Sequence, residues 1–269
     1  MPDPDPEAVA RLIRETTQSV ILPRFGTLKR EEVYEKAPGD LVTIADLETE
    51  RRLTAGLSEF VPGSAVLGEE AVAADPKRLS LTATCDNLWI IDPVDGTANF
   101  ARGQPGFAVI VAYVERGRTH AGWIFDPLGD RMVWAQAGEG AWSDGRRLRL
   151  APAPASLVGA AYGRIAGVRA ATAVERAGMR TRNAGSSGIE YINLALSEAH
   201  FALHSRSLPW DHAAGMLIAT EAGGRAAFLD ETRYDPRIHD NAPLAASDAA
   251  CWTRVRDAVT ALARGAAAP

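Results

Sequence analysis

The fold turns on LWIIDPVDGTANF, residues 88–100. Four apolar residues, Leu88 to Ile91, run directly into Asp92 and Asp95, with Pro93 and Gly96 tightening the turn that follows. A short apolar run bounded by Gly and Pro reads as a strand buried on both faces. Its end then carries two carboxylates three positions apart. Each costs several kcal/mol to desolvate unless something compensates the charge. A cation would do so, and an all-oxygen donor set without Cys or a His pair suits Mg2+ or Mn2+. A DxxDG segment is also an ordinary Asp-rich turn. Thr97, Asn99 and the preceding strand narrow that reading.

Upstream, Val9, Leu12, Ile13, Val20 and Ile21 form a helical stripe over 7–22 that Pro23 ends. KAPGDLVTIAD (36–46) predicts a turn and a short strand, then a helix over 47–60 capped by Asp46. SAVLGEE (64–70) predicts a strand ending on Glu69 and Glu70, and 71–84 a surface helix or loop. Downstream, FAVIVAYV, THAGWIF, RMVWAQ and the segment around Asp144-Gly145 predict an antiparallel meander of four or five strands. APAPASLV (151–158) is the candidate boundary between an N-terminal α+β part, 1–150, and a C-terminal α/β part, 151–269. Beyond it, helices are predicted at 167–178, 186–199 and 211–221, with strands FALHS, RAAFLD and LAAS. A terminal helix over 248–264 follows. Helices, a meander and then alternating elements predict a layered α/β protein. Glu69, Asp211 and Asp46 all fall at element ends, where sites in such proteins form.

The composition limits the function classes. Of 269 residues, 46% are hydrophobic and 23% charged, as in globular proteins. A formal charge of −5 argues against a nucleic-acid partner recognised through a broad basic face. Cys85 and Cys251 form no CxxC pair, so a reducing cytoplasm is the expected location. The first residues lack the pattern of a signal peptide, and no apolar run reaches membrane-spanning length, so no membrane partner is expected. No P-loop lysine motif is present, and DPVD (92–95) is DxxD, not the DxD of aspartyl-phosphate phosphatases.

DPVDGTANF (92–100) matches D-P-[IVL]-D-G-T-x-N-F, and through it the chain resembles the inositol monophosphatase family of Mg2+-dependent, lithium-sensitive phosphatases. KAPGDLVTIAD, Gly68-Glu69-Glu70, Gly185-Ser186-Ser187, WDHAAG (210–215) and EAGG (221–224) follow the same order, so the resemblance covers about 7–262. The closing Asn99-Phe100 favours the inositol branch over the 3′-nucleotidase and histidinol-phosphatase branches. The resemblance implies an αβαβα five-layer sandwich of the sugar-phosphatase type, a homodimer, and two to three Mg2+ ions. It implies Glu69, Asp92 and the Val94 carbonyl as ligands of one metal, and Asp92, Asp95 and Asp211 as ligands of a second. Glu69 would also hold a third ion through water. Thr97, oriented by Asp46, would position and deprotonate the attacking water, while the N–H groups of Gly96 and Thr97 cradle the phosphate. Ser187, His204 and Asp211 would face the substrate. His204 stands where the family often has a glutamate that contacts inositol.

Chemistry independent of that resemblance agrees. A phosphate monoester dianion repels hydroxide, so its hydrolysis needs charge neutralisation, an acidified water and a stabilised leaving alkoxide, which paired divalent ions supply. The expected activity is metal-dependent hydrolysis of inositol monophosphate or a related polyol or sugar phosphate. The alternatives are fructose-1,6-bisphosphate, a 3′-phosphoadenosine nucleotide or histidinol phosphate as substrate, or a regulatory binding role.

Overall fold

Pro6 needs no partner for a missing N–H in the first turn of a helix, and Asp5 accepts from Glu7 N at 3.0 Å. Together they start α1 (Pro6–Thr16) in the computed structural model, which describes residues 4–266. The predicted stripe continues as a π turn over Thr17–Ile21 and a 3-10 turn over Leu22–Arg24. A hairpin of β1 (Val33–Ala37) and β2 (Asp40–Thr43) leads into α2 (Ile44–Phe60). Here the expected cap is corrected. Thr43 is the N-cap, its Oγ1 accepting from Ala45 N at 3.1 Å. Asp46, third in the helix, closes a capping box on Thr43 N at 2.9 Å.

β3 (Ala65–Gly68), α3 (Glu69–Ala74) and α4 (Leu81–Thr84) precede β4 (Asn87–Asp95). After α5 (Thr97–Ala101) comes the meander: β5 (Ala108–Glu115), β6 (Arg118–Asp126), β7 (Arg131–Gln136), β8 (Gly140–Ser143) and β9 (Arg146–Arg147). β3 to β9 lie in sequential order in one seven-stranded sheet, antiparallel except for the β3–β4 pair.

The remaining chain builds a second, mixed sheet. Its elements are β10 (Val158–Ala161), the small hairpin β11 (Arg164–Ile165) and β12 (Val168–Arg169), α6 (Ala170–Arg176) and β13 (Arg180–Thr181). They continue with α7 (Ser187–Ala195), β14 (Phe201–Leu203), α8 (Pro209–Glu221), β15 (Arg225–Phe228), β16 (Pro243–Ala246) and α9 (Ala249–Ala266). The five-stranded order is β13-β10-β14-β16-β15. α7 stops at Ala195, short of the predicted 199: Ser197 takes φ 60°, and the N–H groups of Glu198 and Ala199 both turn back to the Asn193 carbonyl.

Strand alternation sorts the core into layers. Trp89, Ile91, Val109 and Val111 pack with Val9, Ile13, Leu53 and Leu57 of α1 and α2. Their neighbours Leu88, Ile90, Ile110 and Ala112 pack with Ile192, Leu194, Ala213 and Ala214 of α7 and α8. The outer face of the second sheet carries α6 and α9, with Trp252 and Val255 against Phe201 and Leu244. Five layers result, in the order αβαβα, and β4 and β5 read as continuous apolar runs because both faces are covered. α8 sits so close to β6 that a Cβ on Gly122 would lie 2.7 Å from Ala214 Cα. Among the described residues no helix is long and apolar enough to cross a membrane.

Candidate active site

β4 pairs with β5 in a register that places Asp92 opposite Ile110 and Asp95 opposite Ala108, so β4 holds one extra residue there. In a regular strand, residues three apart point to opposite faces. The bulge cancels that alternation and turns both carboxylates to the face of Ile110 and Ala108, toward the middle helices. Pro93 fits because the ladder is already broken. The aspartates therefore end the strand itself, and the turn begins at Gly96. Gly96 has φ 90°, and a Cβ there would meet the Gly106 carbonyl at 2.6 Å.

Asp211 arrives from the first turn of α8, third in the helix behind Leu208 as N-cap. Carboxylate oxygens of Asp92, Asp95 and Asp211 lie within 4.8 Å of one another. Asp95 is anchored by the start of α7: it accepts from Gly188 N at 2.7 Å, Ser187 N at 3.2 Å, Ser187 Oγ at 3.2 Å and Ser186 Oγ. Burial pushes its pKa up, and those donors oppose the rise. Asp92 is 2% exposed, yet its Oδ1 has no hydrogen-bond partner. Burial, then the charges of Glu69, Asp95 and Asp211, hold it well above the usual carboxylate range. Asp211 is raised in the same way, by burial and by Asp95 and Glu69. A buried, unpartnered carboxylate oxygen facing two more carboxylates fits a hard divalent cation.

Thr97 Oγ1 stands 3.0 Å from Asp46 Oδ1 and 2.8 Å from the Val94 carbonyl. The other Asp46 oxygen accepts from Thr43 N at 2.9 Å and Thr43 Oγ1 at 2.5 Å, and burial pushes this carboxyl up to about 6. Glu69, first in α3, lies outside the group of three carboxylates; its Oε1 accepts from Lys36 Nζ at 2.8 Å. Lys36 also donates to Glu70 Oε1 at 3.0 Å, and Glu50 fixes the start of α3 by accepting from Glu70 N at 2.8 Å and Ala71 N at 2.9 Å.

Beside the carboxylates is a cavity of about 300 Å³ lined by Asp95, Tyr162, Ser187, His204, Arg206 and Asp211. The Ser187 hydroxyl is engaged with Asp95 and with the Asp211 carbonyl at 3.1 Å. His204 is buried and stacked on Tyr162, ring centroids 5.5 Å apart at 9°, with the His212 ring at 4.6 Å. Burial lowers its pKa to about 4, so the ring is neutral at pH 7. Its Nε2 lies 3.4 Å from Oε2 of Glu190, a carboxyl that burial pushes up to about 8. Sequence reasoning missed Lys36, Tyr162 and Glu190, and no local signal marks them. Ser186, N-cap of α7 through a 3.2 Å bond from Ile189 N, lies in the Gly185-Ser186-Ser187 segment of the resemblance, which assigned it no role in the site.

Comparisons with known proteins identify the chain's relatives. The model of the "Inositol monophosphatase family" matches residues 6–263. The "Fructose-1,6-bisphosphatase/inositol-1-monophosphatase" of Thermotoga maritima is 34% identical over 202 residues, spanning 72% of this chain and 75% of that protein. The "Inositol-1-monophosphatase" of Bacillus subtilis is 33% identical over 206 residues, 72% of this chain and 74% of its own length. Among solved structures, a Thermotoga maritima IMPase superposes with a TM-score of 0.79 and 26% identity, covering 95% of this chain and 96% of the other. The chain belongs to the inositol monophosphatase family and is, with that membership, a phosphoric monoester hydrolase.

Proposed function

We propose that the protein hydrolyses the phosphate monoester of a small polyol or sugar, inositol monophosphate among them, using Mg2+ in two to three sites that also accept Mn2+. The observation that carries this reading is the convergence of Asp92, Asp95 and Asp211, with Asp92 Oδ1 buried and unpartnered. These three side chains, with Glu69 and the Val94 carbonyl, would hold the metal. Bound divalent metal neutralises phosphoryl oxygens, acidifies water and stabilises the leaving alkoxide.

The chain's own groups supply the rest. Thr97, held between Asp46 Oδ1 and the Val94 carbonyl, is placed to orient the attacking water and take its proton while passing its own to Asp46. With its carboxyl at about 6, Asp46 is an acceptor at pH 7. The N–H groups of Gly96 and Thr97, at the start of α5, have no partner within the helix and would cradle the phosphate. Ser187 fixes Asp95 and the first turn of α8, and so holds the ligand set. His204, neutral and stacked on Tyr162, walls the space for the organic half of the substrate.

Lithium inhibition, a homodimer and a cytoplasmic location belong to the same proposal and rest on the family resemblance. A two-part organisation, 1–150 and 151–269, is supported by the sheets: the seven-stranded one ends at Arg147 and the five-stranded one begins at Val158. Arg206 on the cavity wall favours one second reading, a substrate with another anionic group such as fructose-1,6-bisphosphate. A phosphate-release screen with Mg2+ tests both. It would cover inositol 1-phosphate, fructose-1,6-bisphosphate, a 3′-phosphoadenosine nucleotide and histidinol phosphate. The largest kcat/KM should fall on a polyol or sugar phosphate. No turnover of any of them would overturn the reading in favour of a regulatory binding role.

A further inference from the structure

The hairpin joining β5 to β6 and the loop joining β15 to β16 bring four arginines together. Arg116 and Arg118 come from the hairpin, Arg233 and Arg237 from the loop. Three adjoining cavities of about 320, 380 and 290 Å³ all share Arg118 and Arg233 in their walls. None of their lining residues belongs to the cavity beside Asp95 and Asp211.

Three carboxylates face this groove, and two are already committed. Asp235 takes Arg237 through Nε at 2.9 Å and Nη2 at 2.5 Å. Glu221 accepts from Gly138 N and Gly140 N, each at 3.0 Å. Glu115 is the third. Among the described residues, Arg116, Arg118 and Arg233 have no carboxylate within salt-bridge distance. The backbone gathers them at a cost, since Arg116 sits at φ 48°, a left-handed conformation uncommon outside Gly, Asn and Asp. Gly117 beside it takes φ 74°, a conformation that favours glycine, and the Arg237 guanidinium covers the hairpin tip, its Cζ 2.9 Å from where a Cβ would stand.

One end of the groove is apolar, lined by Met216, Leu217, Ala226 and Tyr234. The Tyr234 ring is held against Phe228, centroids 5.3 Å apart. Guanidinium forks recognise phosphate oxygens in pairs, and a flat ring stacks on an aromatic wall. We propose that this groove binds a phosphorylated metabolite with a flat apolar body, the chemistry of a nucleoside phosphate, at a site separate from the phosphatase centre.

Isothermal titration of the full chain with adenosine 5′-diphosphate, inorganic diphosphate and adenosine tests it. EDTA is present so that the acidic cluster repels anions. Adenosine diphosphate should bind at one site, tighter than either fragment and more weakly as salt rises. Arg118→Glu with Arg233→Glu should weaken it about a hundredfold, roughly tenfold for each guanidinium lost. Thr220→Trp, on an exposed position beside the apolar end, should weaken adenosine diphosphate about tenfold and leave inorganic diphosphate unchanged. Phosphatase turnover in these variants should stay near that of the parent. If the double reversal fails to fold, Arg116→Ala at the hairpin tip makes the same measurement. Binding that ignores the arginines, or adenosine diphosphate no tighter than inorganic diphosphate, overturns the proposal. Binding of a single-stranded RNA by these arginines, with none of adenosine diphosphate, overturns it too.

Discussion

The start of α2 and the end of β4 both bury aspartates, and they handle the charge in opposite ways. At the start of α2, Asp46 receives Thr43 N, Thr43 Oγ1 and Thr97 Oγ1, so every oxygen is satisfied within the chain. At the end of β4, Asp92 is as deeply buried and has an oxygen with nothing to accept from, facing Asp95 and Asp211. A capping box tolerates a carboxylate because it supplies the donors itself. A bulge that turns two carboxylates to one face creates a demand that the chain's own donors leave open, to be met by a retained proton or by a bound cation. Asp95 lies between these cases. Its four donors from the start of α7 tie the second half of the chain to the site, and the cluster still raises its pKa by burial.

The most forceful test of that contrast is Asp92→Asn. Activity on the preferred phosphate monoester should fall about a thousandfold or more, while the metal-free protein unfolds no more easily than the parent. Retention of most activity would break the contrast. Thr97→Ala, which cuts the link between the two regions, should lower kcat about a hundredfold with KM little changed. Thr97→Ser should restore most of it, and steady-state kinetics on both variants decides the point. Next comes Mg2+ itself. At about a hundred times its Kd it should stabilise the parent by about 2.7 kcal/mol, read as a rise in Tm, and the gain should vanish in Asp211→Asn.

The finest test is pH. Burial raises Asp46 from 3.8 to about 6, so between those values the folded protein keeps a proton that the unfolded chain has released. Its contribution to metal-free stability is therefore full below about pH 4 and lost as pH rises through about 6. Activity runs the other way, because the carboxylate must be ionised to accept from Thr97. kcat/KM should climb about tenfold per pH unit below that value. Asp46→Asn should flatten the stability profile between pH 4 and 6; an unchanged profile would assign the transition to another group.

Much of this was legible in the chain. The apolar run before Asp92 reads as a strand, and the faces of β4 and β5 follow from alternation. Asp46, Asp92, Asp95, Thr97 and Asp211 all stand out in the sequence as acids or a hydroxyl at element ends. The cap at Asp46 was misread because Thr43 and Asp46 are both cap-type residues and the box uses both. α7 is shorter than its sequence pattern predicts because the residues after Ala195 keep a helical pattern while Ser197 turns the backbone left-handed. Lys36 could not be found. Its partner Glu69 is 33 positions away, and a lysine on a hairpin looks like any exposed cation.

What the sequence determined by itself is local: which segments are strands or helices, and which carboxylates stand near their ends. Those properties depend on neighbours a few positions apart. Tertiary structure alone decided that Asp95 meets Ser186 across 91 positions. It also decided that Asp92 Oδ1 is left without a partner, and that Tyr162 and His204 share one cavity wall with Glu190 behind the histidine. Convergence of distant residues is set by how sheets and helices pack, and no local spacing encodes it.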